Sequence, residues 1–206
     1  MKDPNELLVY ENKERESGVN LIAGVDEVGR GPLVGPVVCA SCIMPLDDLI
    51  FGVNDSKKLT EKTREKLFDI IKKKAIAYNI ALVSEKVIDE INILNATKKC
   101  MVEAVSGLKI KPETLLIDAL KLDELDCSIK QIPIIHGDAT SYNIACASIL
   151  AKVYRDRLMV ELDKKYPGYN FKKNKGYGTA EHIKALKEFG ATDIHRRGFI
   201  KNFIKE

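Results

Sequence analysis

The chain has 206 residues, 45% of them hydrophobic, and a net charge of +3; that length buries one sizeable core, and no apolar run reaches the roughly 18 residues of a membrane span. The start, MKDPNELLVYENKERES, is too charged for a secretory signal, and five cysteines in scattered apolar segments fit reduced, buried thiols, so a cytoplasmic location is expected. Charge is uneven: residues 165–206 hold ten Lys or Arg against four acids, a local +6 beside a body of −3, which suits a polyanion gripped by one part and processed by another.

Leu21 to Val25 and Pro36 to Met44 read as strands, because Gly29-Arg30-Gly31-Pro32 punctuates the gap between two apolar runs. Cys39 and Cys42 form a C-x-x-C without the second ligand pair that zinc requires, so they count as small hydrophobes. From Thr60 to Ala77, Leu67, Ile70, Ile71 and Lys74 recur at helical spacing behind a Thr60 N-cap. Asn79 to Val83 reads as a third strand, residues 85–107 as one or two helices, and Thr114 to Ile117 and Gln131 to Ile135 as two further strands. Ser141 to Lys164 carries the longest helical pattern, with Ala145, Ala147 and Ala151 allowing close packing on a sheet. Strands first and helices alternating later make the chain α/β, and Thr179 caps one helix of a small C-terminal helical appendage.

Three predicted strand ends carry acids: Asp26 with Glu27, Asp118, and Asp138. Functional groups of α/β sheets gather outside the carboxyl ends of strands, so these four are expected to meet. Like charges so placed raise one another's pKa values unless a cation answers them, and the hard ions Mg²⁺ and Mn²⁺ favour oxygen ligands. Neighbours on a strand point to opposite faces, so either Asp26 ends the regular strand or a bulge or turn redirects Glu27. Taken singly, each acid also has an ordinary reading as a cap or ion-pair partner, Asp138 as N-cap of the next helix and Asp156 as partner of Arg155 or Arg157. Arg30 between two glycines combines close backbone approach with a guanidinium suited to phosphate. Neither GxGxxG nor GxxxxGK[ST] is present, which excludes those nucleotide sites. His136, His182 and His195 have no matched nucleophile, and His195-Arg196-Arg197 reads as a basic edge, either on phosphates or solvated.

The motifs AGVDEVGRGPLVGPVV, NDSKKLTEK, INILNATKKCM, LLIDA, GDATSYNIACASILAKVYRDR, NKGYGTAEHIKAL and GATDIHRRGF follow in order between residues 20 and 199, and they resemble the bacterial type 2 ribonuclease H family, ribonuclease HII. The resemblance implies an RNase H-like mixed β-sheet flanked by α-helices. It divides the chain into a catalytic body over residues 1–164, its N-terminal 18 or so peripheral, and a basic helical segment over 165–206 that contacts nucleic acid. It further implies an endonuclease that uses two divalent ions, Mg²⁺ or Mn²⁺, to cut the RNA strand of RNA–DNA hybrids and to cut 5′ of single ribonucleotides in duplex DNA, leaving 3′-hydroxyl and 5′-phosphate ends.

By motif, Asp26, Glu27, Asp118 and Asp138 are the implied catalytic metal ligands, with Asp156 a weaker candidate. Gly29, Arg30 and Gly31 match the loop that senses the 2′-hydroxyl, Tyr177 the tyrosine that stacks on the adjoining deoxyribose, and Lys57 a lysine near the scissile phosphate. Ala119 stands where the family usually has Gly, His136 where Lys is common, and Gly178 where Pro is frequent. The expected partners are RNA–DNA hybrid and ribonucleotide-containing duplex, with a monomer as default and no clear clamp-protein motif in the tail, which ends Ile204-Lys205-Glu206.

Overall fold

The computed structural model describes residues 3–204; Met1, Lys2, Lys205 and Glu206, part of the charged start and of the tail, lie outside them. Five strands form one mixed sheet: β1 (Ile22–Val28), β2 (Val37–Ile43), β3 (Ala77–Val83), β4 (Thr114–Asp118) and β5 (Lys130–Ile134). The order is β3-β2-β1-β4-β5, with β1, β2 and β3 antiparallel and β1, β4 and β5 parallel. Seven α-helices and three short 3₁₀ turns accompany the sheet among the described residues, the α-helices being α1 (Val9–Glu16), α2 (Glu61–Lys74), α3 (Glu85–Ser106), α4 (Tyr142–Lys165), α5 (Phe171–Asn174), α6 (Ala180–Phe189) and α7 (Arg197–Ile200). None is long and apolar enough to cross a membrane.

Alternation along β2 sorts the core. Val38, Ala40 and Cys42 face α4 and α2, meeting Ala145, Ile149, Leu67 and Phe68, whereas Val37, Cys39 and Ile43 face α3, meeting Cys100, Met101 and Ala104. Four cysteines are buried as expected, but Cys127 is exposed. The small residues read in the sequence bring α4 onto the middle of the sheet, and a Cβ at Gly24 would lie 2.3 Å from the backbone of Asn143. Ser141 caps α4, accepting from the Ile144 amide at 3.2 Å. Glu11 of α1 is wholly buried beside that cap, where its Oε1 accepts from the Ser141 hydroxyl at 2.7 Å and the Asn143 amide at 3.0 Å.

β1 runs on to Val28, three residues past the expected end at Val25, so Asp26 and Glu27 lie within it, and the helix after Thr60 also differs in its bounds. The helix from Thr60 stops at Lys74 rather than Ala77, because Ala75 turns to extended geometry and Ile76 donates to the Ile43 carbonyl at 2.9 Å, which starts β3 earlier. The helical run over residues 85–107 is broken at Asn92 (φ 66°), whose Oδ1 accepts from the Leu94 and Asn95 amides and caps the second half. The C-terminal helices pack on the end of α4 and on the loop after β1 through Val34, Met159, Phe171, Ala185 and Ile194.

Candidate functional site

β1 runs without a bulge through Asp26↔Ala40 and Glu27↔Cys39, so neither of the devices expected to redirect Glu27 is present. The arrangement comes instead from the other side of the strand. Pairing with β4 stops at Val25↔Ile117, leaving residues 26–28 free on that edge. Asp26 turns toward α4 and the longer Glu27 side chain reaches round the open edge, so one carboxylate oxygen each of Asp26, Glu27 and Asp118 lies within 4.8 Å of the others.

Asp138 sits beside this trio rather than within it. The Gly137 amide donates to Asp118 Oδ1 at 2.7 Å, which ties the turn carrying Asp138 to the end of β4. Asp138 is not the cap of α4, since Ser141 fills that role. Lys57 projects from a short 3₁₀ turn, Ser56–Lys58, and its Nζ lies 3.6 Å from Asp138. Arg30 Nη1 lies 3.4 Å from Glu27 Oε1.

Burial raises the Asp26 pKa well above the ordinary value, the Glu27 and Asp118 charges add to it, and a Ser148 hydrogen bond opposes. Glu27 is also raised, first by burial and then by Asp118, with Arg30 pulling the other way. Asp138 follows, raised by burial, Asp55 and Asp118 against Lys57. Burial works against the charge of Lys57, but Asp138, Asp26 and Asp55 outweigh it and lift its pKa. Glu27 Oε2 is buried with no hydrogen-bond partner, an anionic oxygen that lacks only a cation. Hard oxygen donors, mutual repulsion and an orphaned carboxylate oxygen together fit a divalent ion.

The second half of the site is a pair of loops. A Cβ placed on Gly31 would lie 3.4 Å from the Tyr177 ring, so the Gly-Arg-Gly loop and the half-exposed Tyr177 face each other. Leu33 donates to the Gly176 carbonyl at 2.8 Å, which links the two backbones. Gly29 adopts φ 94° and packs against Arg155, whose Nε would be 2.3 Å from a Cβ there, so no other residue fits.

Two buried arginines hold these loops, and the sequence reading missed both roles. Arg196 is wholly buried, not part of a basic edge: its Nε and Nη2 donate to the Gly35 carbonyl at 2.9 and 2.8 Å, Nη2 to Gly29 at 2.7 Å and Nη1 to Arg30 at 3.0 Å. Arg155, also wholly buried, donates to the carbonyls of Pro36, Val34 and Lys175 at 3.3, 3.3 and 2.9 Å. Burial pushes their pKa values down to about 10 for Arg155 and about 9 for Arg196, where Arg155 adds repulsion, and both remain cations at neutral pH. His195 is likewise buried. Asp156 is buried too and pairs with Lys152 at 2.7 Å and Arg64 at 3.8 Å, not with its chain neighbours. No local signal marks Arg155 and Arg196 as backbone clamps, because their acceptors are main-chain carbonyls distant in the sequence.

Comparison with known proteins matches residues 23–202 to the family model for ribonuclease HII. The ribonuclease HII of Acetivibrio thermocellus is 59% identical over 199 residues, covering 97% of this chain and 77% of that one. That of Caldicellulosiruptor bescii is 54% identical over 194 residues, covering 94% and 93%. Among solved structures, the ribonuclease H2 of Pyrococcus horikoshii superposes with a TM-score of 0.74 at 30% identity, covering 91% of this chain and all of that one. The Archaeoglobus fulgidus RNase HII, solved as a complex with PCNA, gives 0.77 at 28% identity, covering 90% and 98%. With the α/β sheet, the acids at its strand ends and these matches in hand, the chain belongs to the ribonuclease HII family, type 2 ribonuclease H hydrolases that act on RNA–DNA hybrids.

Proposed function

We propose that this enzyme cuts 5′ of single ribonucleotides embedded in duplex DNA as well as along RNA–DNA hybrids, leaving 3′-hydroxyl and 5′-phosphate ends, with Asp26, Glu27, Asp118 and Asp138 holding two divalent ions. The observation that carries this reading is the placement of the acidic trio, within 4.8 Å, at the foot of a glycine loop that faces Tyr177. Mg²⁺ or Mn²⁺ bound there supplies charge stabilisation at the phosphate and a more acidic water.

The chain's own groups divide the rest of the work. Lys57, which neutralises Asp138, lies where a phosphate beside the acids meets a cation. Arg30, half-exposed against Glu27, is long enough to turn to a neighbouring phosphate. In a trans peptide unit the C=O and N–H point opposite ways, so the guanidinium that collects the Gly29 and Arg30 carbonyls turns the amides of Arg30 and Gly31 outward. Those donors suit a 2′-hydroxyl, which both donates and accepts. Tyr177 then stacks on the adjoining deoxyribose, where a second 2′-hydroxyl would meet the ring, and the junction is favoured.

The test is cleavage of a labelled duplex containing one ribonucleotide, with Mg²⁺, with Mn²⁺ and with chelator, by wild type and Asp118→Asn. A metal-dependent cut 5′ of the ribonucleotide, lost in the variant while binding persists, is expected. Binding without cutting under either metal would overturn the reading.

A further inference from the structure

His182 and His195 are buried side by side, at 0% and 2% exposure, in a cluster of aromatic rings from Tyr169, Phe171 and Phe189. Their ring nitrogens form one line of contacts. Thr192 N lies 3.0 Å from His195 Nδ1, His195 Nε2 lies 3.3 Å from His182 Nε2, and His182 Nδ1 lies 2.9 Å from the Tyr177 carbonyl oxygen.

The two ends of this line decide every proton in it. A backbone N–H only donates, so His195 Nδ1 is an acceptor, and its hydrogen is on Nε2. A carbonyl oxygen only accepts, so His182 carries its hydrogen on Nδ1, and its Nε2 is free to accept from His195. All three contacts are then satisfied with both rings neutral, and the Thr192 hydroxyl, 2.8 Å from the same His195 Nδ1, can add a second donor to it. Burial lowers the pKa of both rings, and Arg197 and the facing ring add to the effect at His195.

The line ends on the residue that the proposed reading places against the sugar. The Tyr177 carbonyl also accepts from the Thr179 amide at 2.8 Å, so the turn is held from both sides. The next residue after His195 is Arg196, which grips the Gly-Arg-Gly loop, and the segment pairs with the same loop through Val34↔His195. Consecutive side chains thus reach in two directions, His195 toward the Tyr177 turn through His182 and Arg196 to the Gly-Arg-Gly loop.

We infer that His182 and His195 are positioning residues for Tyr177, a neutral relay with fixed tautomers that sets the register between the tyrosine and the Gly-Arg-Gly loop and thereby the preference for a ribonucleotide–deoxyribonucleotide junction. The selectivity half of this inference rests on the proposed role of Tyr177, whereas the tautomers do not.

Two measurements separate these. Nitrogen-15 chemical shifts of the histidine rings in the full-length protein at neutral pH are expected to show His182 protonated at Nδ1 and His195 at Nε2; reversed tautomers or an imidazolium at either position overturn the relay. The ratio of kcat/KM on a single-ribonucleotide duplex to that on a continuous hybrid is then compared among variants. His182→Phe, which keeps an aromatic ring but no donor, is expected to lower the ratio at least tenfold. His182→Asn, whose amide N–H replaces that of Nδ1, is expected to recover most of it. His182→Phe should lower the ratio no further in a Tyr177→Ala background. An unchanged ratio in folded His182→Phe, or no recovery in His182→Asn, overturns the positioning role. A ratio indifferent to Tyr177→Ala overturns the reading of Tyr177 and with it the selectivity half, leaving the relay to be judged by the shifts.

Discussion

At the strand ends, Asp26, Glu27 and Asp118 bring like charges within 4.8 Å of one another, and one of their buried oxygens has no partner at all. Beneath the neighbouring loops, Arg155 and Arg196 are buried more deeply, yet their donors are met by six different backbone carbonyls. In the proposed reading, a cation and a substrate would complete the first region. The second is satisfied from within, so that the loops beside the substrate hold their shape. Buried charge is thus left with an unmet oxygen in one case and met by carbonyls in the other, and what separates the two is the count of partners.

The sharpest way to break that comparison is to neutralise one charge in each region. Asp26→Asn is expected to reduce cleavage by roughly a thousandfold, the loss of several kcal/mol of charge stabilisation at the phosphate. It is also expected to raise the melting temperature of the metal-free protein by about 2–4 °C, because a repelled carboxylate worth about 1 kcal/mol has gone. A parallel assay and thermal scan in chelator checks both; a fall in melting temperature would mean that the acids support the fold rather than strain it.

Arg196→Met acts in the opposite sense. It strands the carbonyls of Gly29, Arg30 and Gly35 without donors, at about 1–3 kcal/mol each, so denaturant unfolding is expected to show a loss of about 3 kcal/mol or more. Arg196→Lys should recover little, since one ammonium cannot reproduce the planar fork.

The pH dependence sharpens the contrast. The folded pKa of Asp26 is raised, so the folded protein retains a proton that the unfolded chain releases near pH 4, and stability from this group falls as pH rises from about 4 through the folded value. The gain from Asp26→Asn in metal-free protein is therefore expected to vanish toward pH 4, where the wild-type carboxyl is already neutral, and to grow as pH rises from there. His195 acts with the opposite sign, its pKa held down to about 4 by burial, His182 and Arg197, so its stabilisation is lost as pH falls from about 6.5. That loss is common to both proteins and cancels in the difference between their unfolding curves.

The two regions also differed in how far the sequence revealed them. Asp26, Glu27 and Asp118 were legible because a carboxylate directly after an apolar run has few uses, and neighbouring strands bring such positions together. All five strands and the caps Thr60 and Thr179 were legible for the same kind of reason, local residue chemistry, whereas the cap of α4 was expected at Asp138 and is Ser141. Arg196 was not, because an arginine next to another arginine looks the same in a solvated edge as in a clamp. Its acceptors are carbonyls more than 160 residues away, and backbone atoms carry no residue type to read. The path of Glu27 was missed for a related reason: its reach depends on where β4 stops pairing, a fact of tertiary register rather than of its own strand.

The smallest effect concerns the departures from the family pattern. Ala119 adopts φ 55° directly after Asp118, and its amide donates to the Ile134 carbonyl at 2.9 Å, so the left-handed turn is fixed by the exit from β4. A Cβ in that conformation costs about 1–2 kcal/mol. Part of the gain on replacing it is offset by the greater freedom of glycine in the unfolded chain, about 0.4–1 kcal/mol. Ala119→Gly is therefore expected to stabilise the protein by about 0.5 kcal/mol, read from denaturant midpoints at constant slope, with cleavage within about twofold of wild type because the Asp118 carboxylate stays tied to the Gly137 amide. A loss of stability would show that the turn is held in place by its neighbours without strain.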